Sequence, residues 1–180
     1  MRYRRVAIPG ASYFFTLITH RRKQLFLDQE NVIRWNRAVA TVQRSRPFAA
    51  EAEVVLPDHL HVIWTLPEGD SDYATRIRLI KSAFSRSLPQ PSGNLSNNSR
   101  ARKGECDVWQ RRYWEHVIRD QADFQAHADY IHINPVKHGL VERPGEWPNS
   151  TFRQWVERGV YDPWWGSNDM PPLPDWAGRE

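Results

Sequence analysis

Cysteine is almost missing from this chain: Cys106 is the single one in 180 residues. One thiol excludes an internal disulfide framework and a closed cysteine shell around structural zinc, and it fits a reducing compartment. With no second sulfur ligand or activating base nearby in sequence, it reads as a bystander. Long apolar runs are missing too. No stretch approaches the roughly 18 apolar residues of a membrane helix. The basic start, MRYRRVAIPG, is not followed by the apolar core of a signal peptide, so no membrane partner is expected. Acids are absent from residues 1–27, which hold Arg2, Arg4, Arg5, Arg21, Arg22 and Lys23. Residues 76–112 carry nine Lys or Arg against Glu105 and Asp107, whereas 142–180 hold seven acids and four bases. A basic body with a mildly acidic tail suits a polyanionic partner, nucleic acid first. Nine tryptophans and six tyrosines add flat faces on which bases can stack, although most such rings serve packing.

The length suits a single domain. SYFFTLITH at 12–20 is dense in aromatic and β-branched residues and predicts a buried strand. Asp28 is placed to cap a helix over 29–45, with Val32, Trp35, Val39 and Val42 on one face. Strands follow over 48–56 and 59–66, joined at Pro57–Asp58. In the second, Leu60, Val62, Trp64 and Leu66 make an apolar face that buries one side, which leaves the histidine face to meet another element, the late helix being its natural partner. Asp72 caps a helix over 73–87, and the Pro, Ser, Asn and Gly of 89–105 read as a long loop. Residues 107–118 read as extended. Asp120 caps a last helix, which Pro135 ends near Asn134 or kinks onward to His138 with Gly139 as its stop. The order strand, helix, strand, strand, helix, strand, helix predicts an α+β fold of the ferredoxin-like kind, an antiparallel sheet with helices. Residues 1–161 form the domain, and the proline-rich 162–180 an irregular tail.

His59 and His61 share one face of their strand, and two imidazoles so placed can hold one divalent ion. The alternative is an ordinary pair of hydrogen-bonded histidines. Tyr130 and Asn134 lie one helical turn apart, with His127 a turn earlier on nearly the same face and His132 turned away. A phenol is a weak nucleophile at neutral pH, and a metal that polarises a target phosphate would lower its barrier. An amide oxygen from Asn134 beside two imidazoles leaves open positions that suit Mg²⁺ or Mn²⁺. The bland alternative makes Tyr130 a packing residue and Asn134 a helix end. Trp109 and Gln110 beside Arg111 and Arg112 suggest stacking, base-edge reading and phosphate contact. Arg4, Arg5, Arg21 and Arg22 are further DNA-contact candidates, and Glu115 and His116 are candidates to support the site.

These residues carry a family likeness. PDHLHVIW at 57–64, VWQRRYWEHVIRD at 108–120 and DYIHINPVKHGLV at 129–141, followed by WPNSTF and GVY…WWG, resemble the REP-associated tyrosine transposases. These are relatives of small insertion-sequence transposases within the single-tyrosine HUH endonucleases. The resemblance runs from about Tyr13 to Gly166. It implies a catalytic tyrosine on a late helix, Tyr130, that attacks a single-stranded DNA phosphate, leaving a 5′-phosphotyrosine and a free 3′-OH. It makes His59 and His61 the metal pair and puts Asn134 where relatives carry a metal-binding glutamine. It further implies REP hairpins as substrate, a bacterial cytoplasmic protein at the nucleoid, and a monomer, where insertion-sequence relatives are dimers. Competing readings are a non-catalytic nucleic-acid binder of the same shape, a replication initiator or relaxase, and a hydrolase that uses water.

Overall fold

A computed structural model describes residues 7–89, 108–167 and 171–172. Four strands, β1 (Ser12–Ile18), β2 (Ala49–Val55), β3 (His59–Thr65) and β4 (Trp114–Val117), form an antiparallel sheet in the order β2-β3-β1-β4. With helices α1 (Gln29–Ser45), α2 (Tyr73–Ser87), α3 (Gln121–Lys137) and α4 (Phe152–Glu157), this is the expected ferredoxin-like α+β arrangement.

The strand parity does the sorting. Tyr13, Phe15 and Leu17 of β1 and Leu60, Val62 and Trp64 of β3 turn to one face, where Trp35 and Val39 of α1 and Ile80 and Phe84 of α2 cover them. Phe14 of β1 and Ile63 of β3 turn to the other, against Ala128, Tyr130 and Ile131 of α3. Every β3 residue from His59 to Trp64 is therefore buried. The strand's own apolar side chains bury one face, and α3 lies across the histidine face, the late helix meeting it as expected.

Helix starts follow the expected caps: the carboxylates of Asp28, Asp72 and Asp120 accept from Glu30, Thr75 and Asp123 backbone N–H groups. The extended segment shrinks to β4 and one isolated bridge, Thr19 with Trp109. The loop expected over 89–105 lies almost wholly outside the described residues, as does Cys106. Arg76 corrects the charge reading. Its side chain is 1% exposed, with its guanidinium donating to Asp70 and to the carbonyls of Arg46, Pro47 and Asp72. One cation of the basic stretch is thus an internal tie.

The motif WPNSTF closes the free edge of β2. Val55 N–H donates to Asn149 O, Thr151 N–H to Glu53 O, and Glu53 N–H to Thr151 Oγ1. The indoles of Trp147 and Trp155 donate to Val55 O and Glu51 O, so the edge offers little to a second chain. The start of the tail packs on the domain, Trp165 lying tilted against Tyr161 with ring centroids 4.6 Å apart.

His132 ties α3 to this cover, with Nε2 2.9 Å from Thr151 Oγ1 and Nδ1 3.2 Å from Tyr161 Oη. It faces away from the sheet histidines, as its helical phase requires. Burial pushes its pKa down to about 3 and, as the main cause, that of His127 down to about 4. Both are neutral in the fold at pH 7, while the unfolded chain binds their protons below about pH 6.5. Their contribution to stability is therefore complete above that pH and falls as pH drops toward 4, by up to about 1.4 kcal/mol per pH unit for each histidine. Buried Glu53, pushed up to about 7 by burial, contributes in the opposite sense, gaining stability as pH falls from about 7 toward 4.5. With that carboxyl removed by Glu53→Gln, thermal melts at about pH 7.5, 6 and 5 should show Tm falling throughout; a flat profile in that variant would contradict the neutral buried state.

Candidate functional site

β1 and β3 run antiparallel with Thr16 opposite His61 and Ile18 opposite His59. Register alone therefore puts Thr16 Oγ1 2.9 Å from His61 Nδ1. The turn residue Asp58 reaches His59 Nδ1 at 2.5 Å with one carboxylate oxygen and takes Arg22 at 3.2 Å with the other. Burial alone would raise the Asp58 pKa, but its hydrogen bonds and charge contacts with His59 and Arg22 bring it below the usual carboxylate range. An ionised carboxylate only accepts, so His59 carries its proton on Nδ1 and its lone pair on Nε2. Both rings are anchored through Nδ1, as histidines that ligate a metal through Nε2 are held. The rings stand nearly perpendicular with centroids 5.0 Å apart. Burial, then the repulsion that a proton on His61 would meet from a protonated His59, from Lys137, from a protonated His138 and from Arg22, holds His61 neutral, its ligating form.

Helix α3 brings the rest. Tyr130 is 1% exposed, with its ring centroid 5.3 Å from that of His61. Asn134 is 0% exposed; its Nδ2 donates to Tyr130 O at 3.2 Å, and its buried Oδ1 has no hydrogen-bond partner among the described residues. An orphaned carbonyl oxygen on the turn after the tyrosine is what a hard cation would satisfy. Two residues enter that sequence reasoning did not assign. Lys137 Nζ donates to Tyr130 Oη at 2.9 Å, and the exposed His138 places its ring 5.2 Å from His59. Both depend on the helix running through Pro135 to Lys137. Gly139, at φ 65°, then ends it in the left-handed region. A spacing of seven from Tyr130 was the available signal, and it applies only on the reading in which the helix continues past Pro135 to His138.

His127 and His116 do not join this pair. Phe14 lies between, its ring 5.5 Å from His61 and 4.9 Å from His127. Among the described residues, His116, Asp123 and His127 form a group whose ligand atoms lie within 4.8 Å of one another. The Asp123 carboxylate is already saturated by His116 Nε2 at 2.8 Å and by Arg119 N and Nε at 2.9 and 3.1 Å, with His127 Nδ1 at 3.3 Å. Burial would raise the Asp123 pKa, but Arg119 and His116 hold it far below the usual range. The cluster thus ties β4 to the start of α3. Asp123→Ala should cost about 3 kcal/mol and lower Tm by roughly 6–12 °C in a calorimetric scan; an unchanged Tm would sink that role.

Glu115 is corrected. It pairs with Phe15, whereas His116 pairs with Phe14, so its side chain lies on the α1/α2 face of the sheet, away from Tyr130. Trp109 is corrected as well. It is 8% exposed and packs among Phe26, Trp35 and Phe84, leaving no open face for a base. Gln110 follows it, its N–H donating to Ile18 O and its carbonyl accepting from Lys81 Nζ. Arg21, Arg22, Arg111 and Arg112 are exposed where β1 ends and β3 begins, near His59. Arg21 and Arg22 hold φ of 54° and 51°, uncommon for residues with side chains. Arg4 and Arg5 lie outside the described residues.

No helix among the described residues is long and apolar enough to cross a membrane. No protein-family model matches the chain. A protein of Escherichia coli (strain K12) named REP-associated tyrosine transposase is 44% identical over 177 residues, spanning 98% of this chain and 90% of that one. A solved REP-associated tyrosine transposase bound to a REP hairpin superposes with a TM-score of 0.78 at 42% identity, covering 96% of this chain and 94% of the other.

Proposed function

Since the chain belongs to the REP-associated tyrosine transposases, a family of DNA-cleaving enzymes, we propose that it cleaves and rejoins single-stranded DNA at REP-type hairpins through a 5′-phosphotyrosine on Tyr130. The observation that carries this reading is the 5.3 Å approach of the Tyr130 ring to His61 beside an anchored histidine pair. Sequence distance from His61 to Tyr130 is large, and nothing in packing alone asks for two buried imidazoles beside a buried phenol.

The family uses a divalent metal, and His59, His61 and the Asn134 amide oxygen would hold it here. When bound, that ion polarises a non-bridging phosphate oxygen and offsets charge that develops there. A donor set of two imidazoles and an amide oxygen suits Mn²⁺ or Mg²⁺. The chain's own residues do the rest. Asp58 and Thr16 orient the two imidazoles, and α3 holds the phenol at a fixed height above the sheet. Arg21, Arg22, Arg111 and Arg112 offer a cationic rim for the strand leading into the site, with Gln110 beside it to read a base edge. Tyr130 attacks phosphorus, the bond to the 3′-oxygen breaks, and the released oxygen takes a proton to become a free 3′-OH. Tyrosine and histidines meet within one chain, so a monomer suffices for cleavage.

The test is incubation of the protein and Mn²⁺ with an end-labelled REP-type hairpin, followed by denaturing electrophoresis. A protein-linked strand is expected. Cleavage without any linked strand would favour a hydrolase that uses water, and binding without cleavage a non-catalytic binder.

A further inference from the structure

Lys137 spends its amine on a phenol. Its Nζ lies 2.9 Å from Tyr130 Oη and 4.6 Å from the ring centroid, so the cation sits over the ring while it donates to the oxygen. A half-buried lysine at a helix end ordinarily extends its head into water. Among the described residues no carboxylate lies within ion-pair distance of Lys137, so no acid draws it there. The helix carries it to this place. Seven residues advance an ideal helix by about 700°, so Lys137 falls within about 20° of the Tyr130 direction. That requires α3 to continue past Pro135, which removes one helical donor, and to stop only at Gly139.

We propose that Lys137 is a catalytic residue for the cleavage read above: its ammonium holds the Tyr130 oxygen and stabilises negative charge on it, both as nucleophile and as leaving group. The proposal rests on that reading of Tyr130. In cleavage, the Oη–P bond forms and the P–O3′ bond breaks. The phenol proton passes to solvent, and the 3′-oxygen takes one up. In rejoining, the 3′-OH attacks phosphorus, the P–Oη bond breaks, and its electron pair returns to Oη. Lys137 remains an ammonium throughout, so no proton is left on it in either direction. An oriented cation in a water-poor setting is worth far more to developing charge than one in bulk water. Its directional hydrogen bond also fixes the phenol for in-line approach.

The symmetry of this role makes it testable in both directions. Single-turnover adduct formation and strand rejoining from purified adduct are measured with Mn²⁺ for wild type, Lys137→Met, Lys137→Arg, and Lys137→Cys before and after alkylation with 2-bromoethylamine. Alkylated wild type controls for Cys106. Both rates should fall about 100-fold in Lys137→Met. Hairpin affinity should change no more than a few-fold. Rates should return in part with Arg and in larger part when the alkylated cysteine regains an ammonium. Lys137→Met rates within about threefold of wild type in a folded protein would overturn the proposal. So would a cysteine variant that binds hairpin but gains nothing from alkylation, a comparison that holds even if Lys137→Met misfolds. Wild type that forms no adduct would instead remove the cleavage reading itself, whatever Lys137 does.

Discussion

Tyr130→Phe should bind a REP-type hairpin as wild type does and form no covalent adduct, a loss of at least about 10³-fold. The substitution removes one oxygen and keeps the ring. That ring is what packs: it sits 6.2 Å from Phe14 and 5.3 Å from His61 by centroid distance, in the cluster that joins α3 to the sheet. Melting temperature should shift by only a few degrees, because the packed ring is kept and the loss is of hydrogen bonding at one oxygen, such as that from Lys137. Adduct yield on a denaturing gel, beside hairpin affinity from fluorescence anisotropy, separates chemistry from binding. Undiminished adduct in the variant would remove Tyr130 as the nucleophile.

The second large effect concerns the histidine pair. His59→Ala should lower adduct formation by about 10³-fold, the loss of several kcal/mol of charge stabilisation. Chelation of wild type by EDTA should do the same, with activity returning on titration of Mn²⁺. EDTA added to His59→Ala should have no further effect, because both treatments remove the same contribution. His59 is the better probe of the pair. His61 is 0% exposed against 6% for His59, so truncating it would also open a cavity below α3. Adduct rates for the four combinations make the comparison. A His59→Ala protein that still responds fully to EDTA would place the metal elsewhere, with the His116, Asp123 and His127 cluster as the next place to look.

Much of this architecture is readable from sequence because strong local signals agree with tertiary packing. Alternation along Tyr13–Leu17 and Leu60–Trp64, and the caps Asp28, Asp72 and Asp120, mark elements whose buried faces the fold then uses. The rest was open or misleading for physical reasons. Pro135 left two helix ends open, and α3 takes the longer one because its sheet-facing side stays buried through Asn134 and Pro135. That continuation brought Lys137 and His138 to the site. Glu115 and His116 are neighbours in sequence, and only the pairing of β4 with β1 decides which faces α3. Trp109 beside Arg111 and Arg112 resembles a stacking platform, but its bridge with Thr19 turns the indole into the core. Asp58 read as a turn residue; its work as the anchor of His59 depends on the carboxylate's reach, which no periodicity encodes.

The most direct test of the central claim is to locate the covalent bond. Adduct formed with a REP-type hairpin, digested with nuclease and trypsin, should carry its residual nucleotide on the peptide 120–137, where Tyr130 is the single tyrosine. Fragmentation by tandem mass spectrometry should place it on that phenol oxygen. A nucleotide mapped to any other residue, or DNA cut by this protein with no nucleotide attached to it, would contradict the account.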